Sequence, residues 1–214
     1  KVNNKNLSKA INLLKKKDLV GVPTETVYGL AGDAYSDIAV KKIYKFKKRP
    51  NKNPLIIHYH DIKSLKNDVE LNDSFYKLYK AFSPGPITFV LNKKKNSKIS
   101  KSSTAKLKTV AVRIPRNQTL RRILKILKFP LAIPSANKST RVSPVTAEDV
   151  ASEFGNSLKM ILKGKRSAIG LESTVVDLTS KIKILRPGFI NQNDISRILK
   201  KRIKFSASNN KIKA

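Results

Sequence analysis

The sequence contains no cysteine. That excludes a disulfide scaffold, a thiolate zinc site and a cysteine nucleophile. Histidine occurs twice and Asp plus Glu only 14 times, with the acids scattered, so a metal cage built by the protein is not expected. No apolar run approaches the roughly 20 residues that span a bilayer. No basic segment followed by an apolar stretch and a cleavage site opens the chain, so a cytoplasmic protein is the default expectation. The first residue is Lys1 rather than Met, which leaves open where the natural start lies. Neither G-x-G-x-x-G nor G-x-x-x-x-G-K-[ST] occurs, so the Rossmann and P-loop readings lack their phosphate-cradling glycines.

What the chain has in excess is positive charge. Lys plus Arg is 46, which gives a formal net charge of +32. Such a surface attracts nucleic acid, nucleotides or anionic lipid. Of these cations 36 are Lys, whereas dedicated phosphate readers lean on Arg. A Lys-, Asn- and Ile-rich mixture is also what an AT-rich coding sequence produces without selection for binding. The charge alone therefore assigns no function. Hydrophobic residues make up 40% of the 214, enough for a sizeable core in one domain with a tail.

The apolar pattern alternates between helical and strand periods. Helices are expected around 7–17, 36–46, 74–82, 118–128, 146–154 and 193–203. In the second, Ile38, Ile43 and Phe46 are read as one face, with Ser36 or Asp37 as N-cap. Thr146 and Asp149 form a capping box for the fifth. Strands are expected at 19–23, 54–59, 87–91, 109–115, 130–134, 160–164, 173–179 and 181–187, and the last residues read as a frayed tail. Three successive strands without a helix between them argue for a mixed sheet with packed helices rather than a doubly wound parallel fold.

Five segments are more polar than their surroundings, each near a strand end, where α/β sheets place their sites. Pro23-Thr24-Glu25-Thr26 brings two hydroxyls and a carboxylate, as a small-substrate site or a helix cap. Lys47 to His58 gathers Lys47, Arg49, Asn53 and His58, suited to phosphates and a base; cations closing a helix and a packed histidine are the alternative. Thr109 to Arg113 puts an Arg on a strand face, where it needs an anionic ligand or an internal carboxylate. Ser135-Ala136-Asn137 with Ser143 suits a phosphate or ribose, or is an ordinary Asx-turn. Ser173 and Arg186 lie at the ends of two adjacent strands, as a site or as the polar ends of a hairpin.

In their order, PTETVYGL, KxRPxxNPLIIH, SPGPITFVL, VAVRIP, PSAN, SP-T, GLESTVVD and LRPG make the chain resemble the YrdC-like threonylcarbamoyl-AMP synthase family, in its short single-domain form, from about residue 8 to 190. The resemblance implies a twisted open mixed α/β sheet around a positively charged cavity, with a catalytic domain over 1–190 and a C-terminal helix and basic tail over 191–214. It implies a nucleotidyltransferase that makes threonylcarbamoyl-AMP and pyrophosphate from L-threonine, bicarbonate and ATP, with Mg2+ carried on the ATP. A tRNA-modifying transferase complex would then pass the threonylcarbamoyl group to an adenosine of tRNAs that read ANN codons. By resemblance, Thr26, His58, Arg113 and Ser173 hold L-threonine. Arg49, Asn53, Thr109, Ser135, Asn137, Ser143 and Arg186 surround ATP, and Lys47 and Arg49 are catalytic. No metal site in the protein is implied.

The chain departs from the family pattern in two loops. Lys48 stands where Gly usually separates the Lys and Arg, and Thr140 where a Gly often follows PSAN. Some relatives carry a further C-terminal domain, and the residues after 190 are too few for one. Two rival readings remain. One is a YrdC-like module that binds double-stranded RNA or tRNA, or assists ribosome maturation, without catalysis. The other is a carbamoyl-transfer domain with no preference for threonine.

Overall fold

The computed structural model describes residues 2–206. In chain order the elements are α1 (Asn4–Lys15), β1 (Val20–Val22), β2 (Gly29–Asp33), α2 (Asp37–Lys47), β3 (Ile56–His58), α3 (Ile62–Leu65), α4 (Asp73–Phe82), β4 (Ile87–Asn92) and β5 (Thr109–Arg113). There follow α5 (Gln118–Leu127), β6 (Leu131–Ala132), α6 (Ala147–Phe154), a short 3-10 turn, β7 (Thr174–Asp177), β8 (Lys183–Arg186), α7 (Gln192–Leu199) and β9 (Lys204–Phe205). The strands form one open mixed sheet in the order β1-β2-β6-β3-β5-β4-β7-β8-β9. The pairs β3–β5, β4–β7 and β8–β9 are parallel and the others antiparallel.

Apolar residues on opposite faces of the sheet feed two cores. Leu30 and Ala132 join Val40, Ile43, Phe75 and Leu78 from α2 and α4, together with Ile195 and Leu199 from α7. Ala31, Leu131 and Ile133 meet Ile11 and Leu14 of α1 and Leu120, Ile123, Leu124 and Leu127 of α5. This alternation is the strand period at work. The basic stretch 118–128 is thus an amphipathic helix whose apolar stripe is covered by α1.

Helix starts follow the side-chain caps. Ser36 accepts from Ala39 N–H, Asn72 from Phe75 N–H, and Thr146 with Asp149 forms the full capping box. The predicted face of α2 needs correction. Ile38 is 64% exposed, and the buried stripe is Ala39, Val40, Ile43, Tyr44 and Lys47. The segment 160–164 is not a strand; it contributes one bridge, Ile161 to Gly21. Three short elements, β2, α3 and β9, lie outside the sequence expectation. The predicted tail lies almost wholly outside the described residues. Among those residues no helix is long and apolar enough to cross a membrane.

Candidate active site

β3 and β5 run parallel and in register, so His58 and Arg113 lie side by side as the last residues of neighbouring strands. His58 is buried and its Nδ1 sits 3.3 Å from the Ile56 carbonyl oxygen. Burial, and then the Arg113 charge, push its imidazole down to about 3, so it is neutral at physiological pH. Arg113 donates from Nε to the Gly85 carbonyl, from Nη1 to Thr26 Oγ1 at 3.0 Å and from Nη2 to Glu25 Oε1 at 2.7 Å. Burial by itself would raise the Glu25 carboxyl. The Arg113 charge and donation from Arg116 N–H and Arg113 outweigh it and bring the group down to about 2. The internal-carboxylate reading of Arg113 therefore holds, and the Arg still presents a surface to the cavity.

No helix follows Thr24. Its Oγ1 accepts from the Thr26 and Val27 N–H groups and donates to the Val27 carbonyl, which closes a tight turn and aims Thr26 at Arg113.

α2 ends on a buried cation. Lys47 is 1% exposed, and its Nζ donates to the Ser135 carbonyl at 2.6 Å and to the Asn137 carbonyl. Its own carbonyl accepts from Ser139 N–H. Lys47 thus pins the 135–139 loop from beneath. Burial first, and the nearby Arg49 second, push its amine down to about 7. Arg49 is steered by main-chain carbonyls, Nε to Asn53 and Nη2 to Pro54.

On the far side, Arg186 at the end of β8 donates to the Ser173 carbonyl from Nε and Nη2, to Ser173 Oγ at 3.0 Å, and from Nη1 to Glu172. Ser173 Oγ also bonds Thr88 Oγ1 at 2.8 Å. Ser143 Oγ donates to Glu172 Oε1 at 2.9 Å.

These groups wall one crevice. Its lining includes Thr24, Thr26, Arg49, His58, Arg113, Ser135, Glu172, Ser173 and Arg186. Ile56 and His58, two apart on β3, face it, while Ile57 packs into the core. The crevice has a volume of about 500 Å3, part of it open to solvent.

Of the residues singled out by sequence, Thr26, Arg49, His58, Arg113, Ser135, Ser173 and Arg186 share this wall. Lys47 stands behind it. Asn53 meets it through its carbonyl, on Arg49. Ser143 and Asn137 line a neighbouring surface groove; the Asn137 amide donates to the Lys138 and Arg141 carbonyls. Thr109 is at the opposite end of β5, paired with Asn92 and about 13 Å along the strand from Arg113. Three side chains were not singled out as site residues. Thr24 and Glu172 line the crevice, and Glu25 backs Arg113. All lie inside segments the sequence had marked, PTET and GLES, so the signal was present at the level of the motif. Among the described residues no group of three or more His, Cys, Asp or Glu could hold a metal ion.

The fold is shared with known proteins. A threonylcarbamoyl-AMP synthase of Pyrococcus abyssi is 38% identical over 192 residues, 89% of this chain and 56% of its own length. One from Bacillus subtilis is 38% identical over 199 residues, 92% of this chain and 57% of its own length. The crystal structure of P. abyssi Sua5 complexed with L-threonine superposes with a TM-score of 0.92 at 35% identity, covering 97% of this chain and 61% of that one. The chain thus spans little more than half the length of these relatives. The family model Sua5_yciO_yrdC, described as "Telomere recombination", matches residues 12–188. The chain belongs to the Sua5/YciO/YrdC family.

Proposed function

We propose that this chain catalyses threonylcarbamoyl-AMP synthesis. The amine of L-threonine and bicarbonate condense to a carbamate with loss of water. A carbamate oxygen then attacks the α-phosphorus of ATP, the bond to the β-phosphate oxygen breaks, and pyrophosphate leaves. No enzyme nucleophile is needed, in keeping with a chain without cysteine. The observation that carries the reading is the division of one crevice into two chemistries. Neutral His58, Thr26, Ser173 and Arg113 offer an amino acid small polar contacts and one cation. Arg49, Arg186 and Ser135 offer a polyphosphate two planar forks and a hydroxyl. The likeness to P. abyssi Sua5 complexed with L-threonine supports threonine as one of the ligands.

In this reading Arg113, already braced by Glu25, meets the threonine carboxylate, and His58 supplies a neutral ring for the amine or side chain. Arg49 meets the phosphates and the charge that develops on the departing pyrophosphate. Lys47 serves through the 135–139 loop that it pins, and Asn137 and Ser143 hold the outer part of that loop. Thr109 stands outside the crevice lining, next to Pro54 across the β3–β5 register, and could reach only the outer part of a bound nucleotide. Mg2+ would come with ATP, held by its phosphate oxygens and water, and would offset phosphate charge. The product is an activated acyl adenylate, so a transferase acting on tRNA is the kind of partner that would consume it.

The deciding experiment is pyrophosphate release from ATP and bicarbonate at fixed salt, with and without L-threonine. Release that requires threonine, and is much weaker with serine, is the expected result, the difference being one methyl group in the amino-acid part of the crevice. Equal release without any amino acid would replace this reading with carbamoyl transfer. No release from folded protein would replace it with a binding role.

A further inference from the structure

Glu172 has no part in the reaction described above, yet it occupies the basic part of the crevice. Among the described residues it is the single carboxylate on the wall. Glu25, the other acid nearby, is committed to Arg113 from behind. Glu172 ties three segments together. It precedes β7, accepts from Ser143 on the loop between β6 and α6, and pairs with Arg186 at the end of β8. Its negative charge is felt by Lys47, Arg49 and Arg186 alike, raising the pKa of each against the larger effect of burial. One carboxylate therefore serves as the common counter-charge of the three cations around it.

A polyphosphate needs those same cations. Carboxylate and phosphate oxygens compete for the same fork of an arginine. The Ser143–Glu172–Arg186 chain runs between the crevice and the groove that Ser143 and Asn137 line, so a nucleotide seated across both meets the Glu172 carboxylate. The segments on either side carry apolar residues in water, Val142 at 92% exposure and Leu171 at 59%. Main-chain bonds fix the bases of both segments, Ser167 N–H to the Val145 carbonyl and Tyr28 N–H to the Pro144 carbonyl, and the Ser143–Glu172 bond joins them nearer the crevice.

We propose that Glu172 is a built-in anion that occupies the polyphosphate seat on Arg186, and that a nucleotide binds by displacing it and releasing the Ser143 loop. This inference rests on the proposed function, because it takes the bound anion to be a nucleotide polyphosphate. Glu172 then has two effects. It keeps the buried arginines neutralised while the site is empty, and it competes with the pyrophosphate product, so that product leaves.

The test is calorimetric binding of ATP and of inorganic pyrophosphate to the wild-type chain and to Glu172→Gln, each with and without Mg2+, beside steady-state turnover. Glu172→Gln should bind pyrophosphate about tenfold tighter, the gain expected when a competent state present in about one molecule in ten becomes dominant. Its KM for ATP should fall, and kcat should fall as well because product release slows. Ser143→Ala, which cuts the other side of the link and disturbs folding less, should move binding in the same direction by a smaller factor. Unchanged or weaker pyrophosphate binding in both variants would overturn the proposal and make Glu172 a brace for Arg186. A loss seen only with Mg2+ would overturn it too, making Glu172 a metal ligand. In either of those cases threonine-dependent turnover of the wild type would leave the proposed function standing. A wild-type chain that binds neither ATP nor pyrophosphate would overturn both.

Discussion

Arg113 and Glu25 meet at 2.7 Å with side chains only 4% and 9% exposed, and Arg113 alone of the two reaches the crevice wall. Glu25 also accepts from the N–H groups of Arg116 and Asn117. One carboxylate thus fixes the substrate-side arginine and the chain that leads into α5. Removing it strands a buried guanidinium and two main-chain donors. Glu25→Ala should lower the unfolding free energy by about 3–5 kcal/mol, the usual cost of breaking a buried pair from one side. Urea unfolding measures this directly. Glu25→Ala combined with Arg113→Met should recover part of the loss, and a double variant less stable than either single one would refute the pairing argument.

His58 gives the protein a specific acid sensitivity. Its folded pKa of about 3 lies below the ordinary 6.5. Between those values the unfolded chain takes up a proton that the native state refuses, so stability falls as the pH drops from about 6.5 toward 3. Glu25 adds to this lower down, because its stabilising contribution is present above its ordinary 4.5 and disappears as the pH falls through about 2. Replacing His58 with Asn should flatten the dependence of unfolding free energy on pH between about 6 and 4.5, where the carboxylate contributes least. A slope identical to wild type in that window would mean that the ring is protonated in the native state.

Much of this arrangement was legible from the chain. Strands with strong β-branched runs, such as Ile87–Asn92 and Thr109–Arg113, and helices with caps, such as Ala147–Phe154, sit close to where the pattern puts them. The failures have physical causes. β2 is GLAGD, all buried between β1 and β6, and its small residues carry no alternation to read. β9 is two residues whose pairing depends on β8, and α3 is one turn capped by Asp61. Of the three residues read as one face of α2, Ile43 is in the core and Phe46 packs against it, while Ile38 points to water because the stripe is set by what α2 packs on. The site residues were found by motif, while which of them share a wall was not. Thr109 and Arg113 belong to one motif and to opposite ends of one strand. The pairing of Glu25 with Arg113 and of Glu172 with Arg186 was not legible because the partners are distant in sequence.

The two loop departures turn out to share a backbone property. Lys48, the C-cap of α2, has φ 49°, and Thr140 has φ 75°. Both are left-handed, the region that glycine enters without penalty and a β-branched residue enters least easily. Each position therefore asks for the glycine that the family pattern offers. Lys48→Gly should raise stability by about 0.5 kcal/mol, and Thr140→Gly by about 1 kcal/mol, after allowance for the added freedom of the unfolded chain. Thermal unfolding of each variant checks this, with a drop for Thr140→Gly as the contrary result.

Gly188 shows how closely the crevice depends on main-chain packing. A Cβ there would stand 2.4 Å from the Glu172 carbonyl oxygen, 2.5 Å from Thr174 N and 2.6 Å from the Ser173 carbonyl carbon. None of these is the end of a flexible side chain, so the 172–174 segment itself must move. That segment carries the Ser173 carbonyl that receives Arg186 and the carboxylate that links Arg186 to Ser143. A displacement of about 1 Å in a positioned site costs roughly 100-fold in rate. Gly188→Ala should therefore lose about that much kcat/KM for ATP while circular dichroism still reports the native secondary structure. Gly155→Ala is the control. Unlike Gly188 it has a positive φ, 53°, and there is nothing within 4 Å of the added carbon. It should lose stability by about 1 kcal/mol or more from backbone strain alone and keep the wild-type rate. Equal activity losses in the two variants would show that general destabilisation, rather than the shift of the Glu172–Ser173 main chain, lowers the rate.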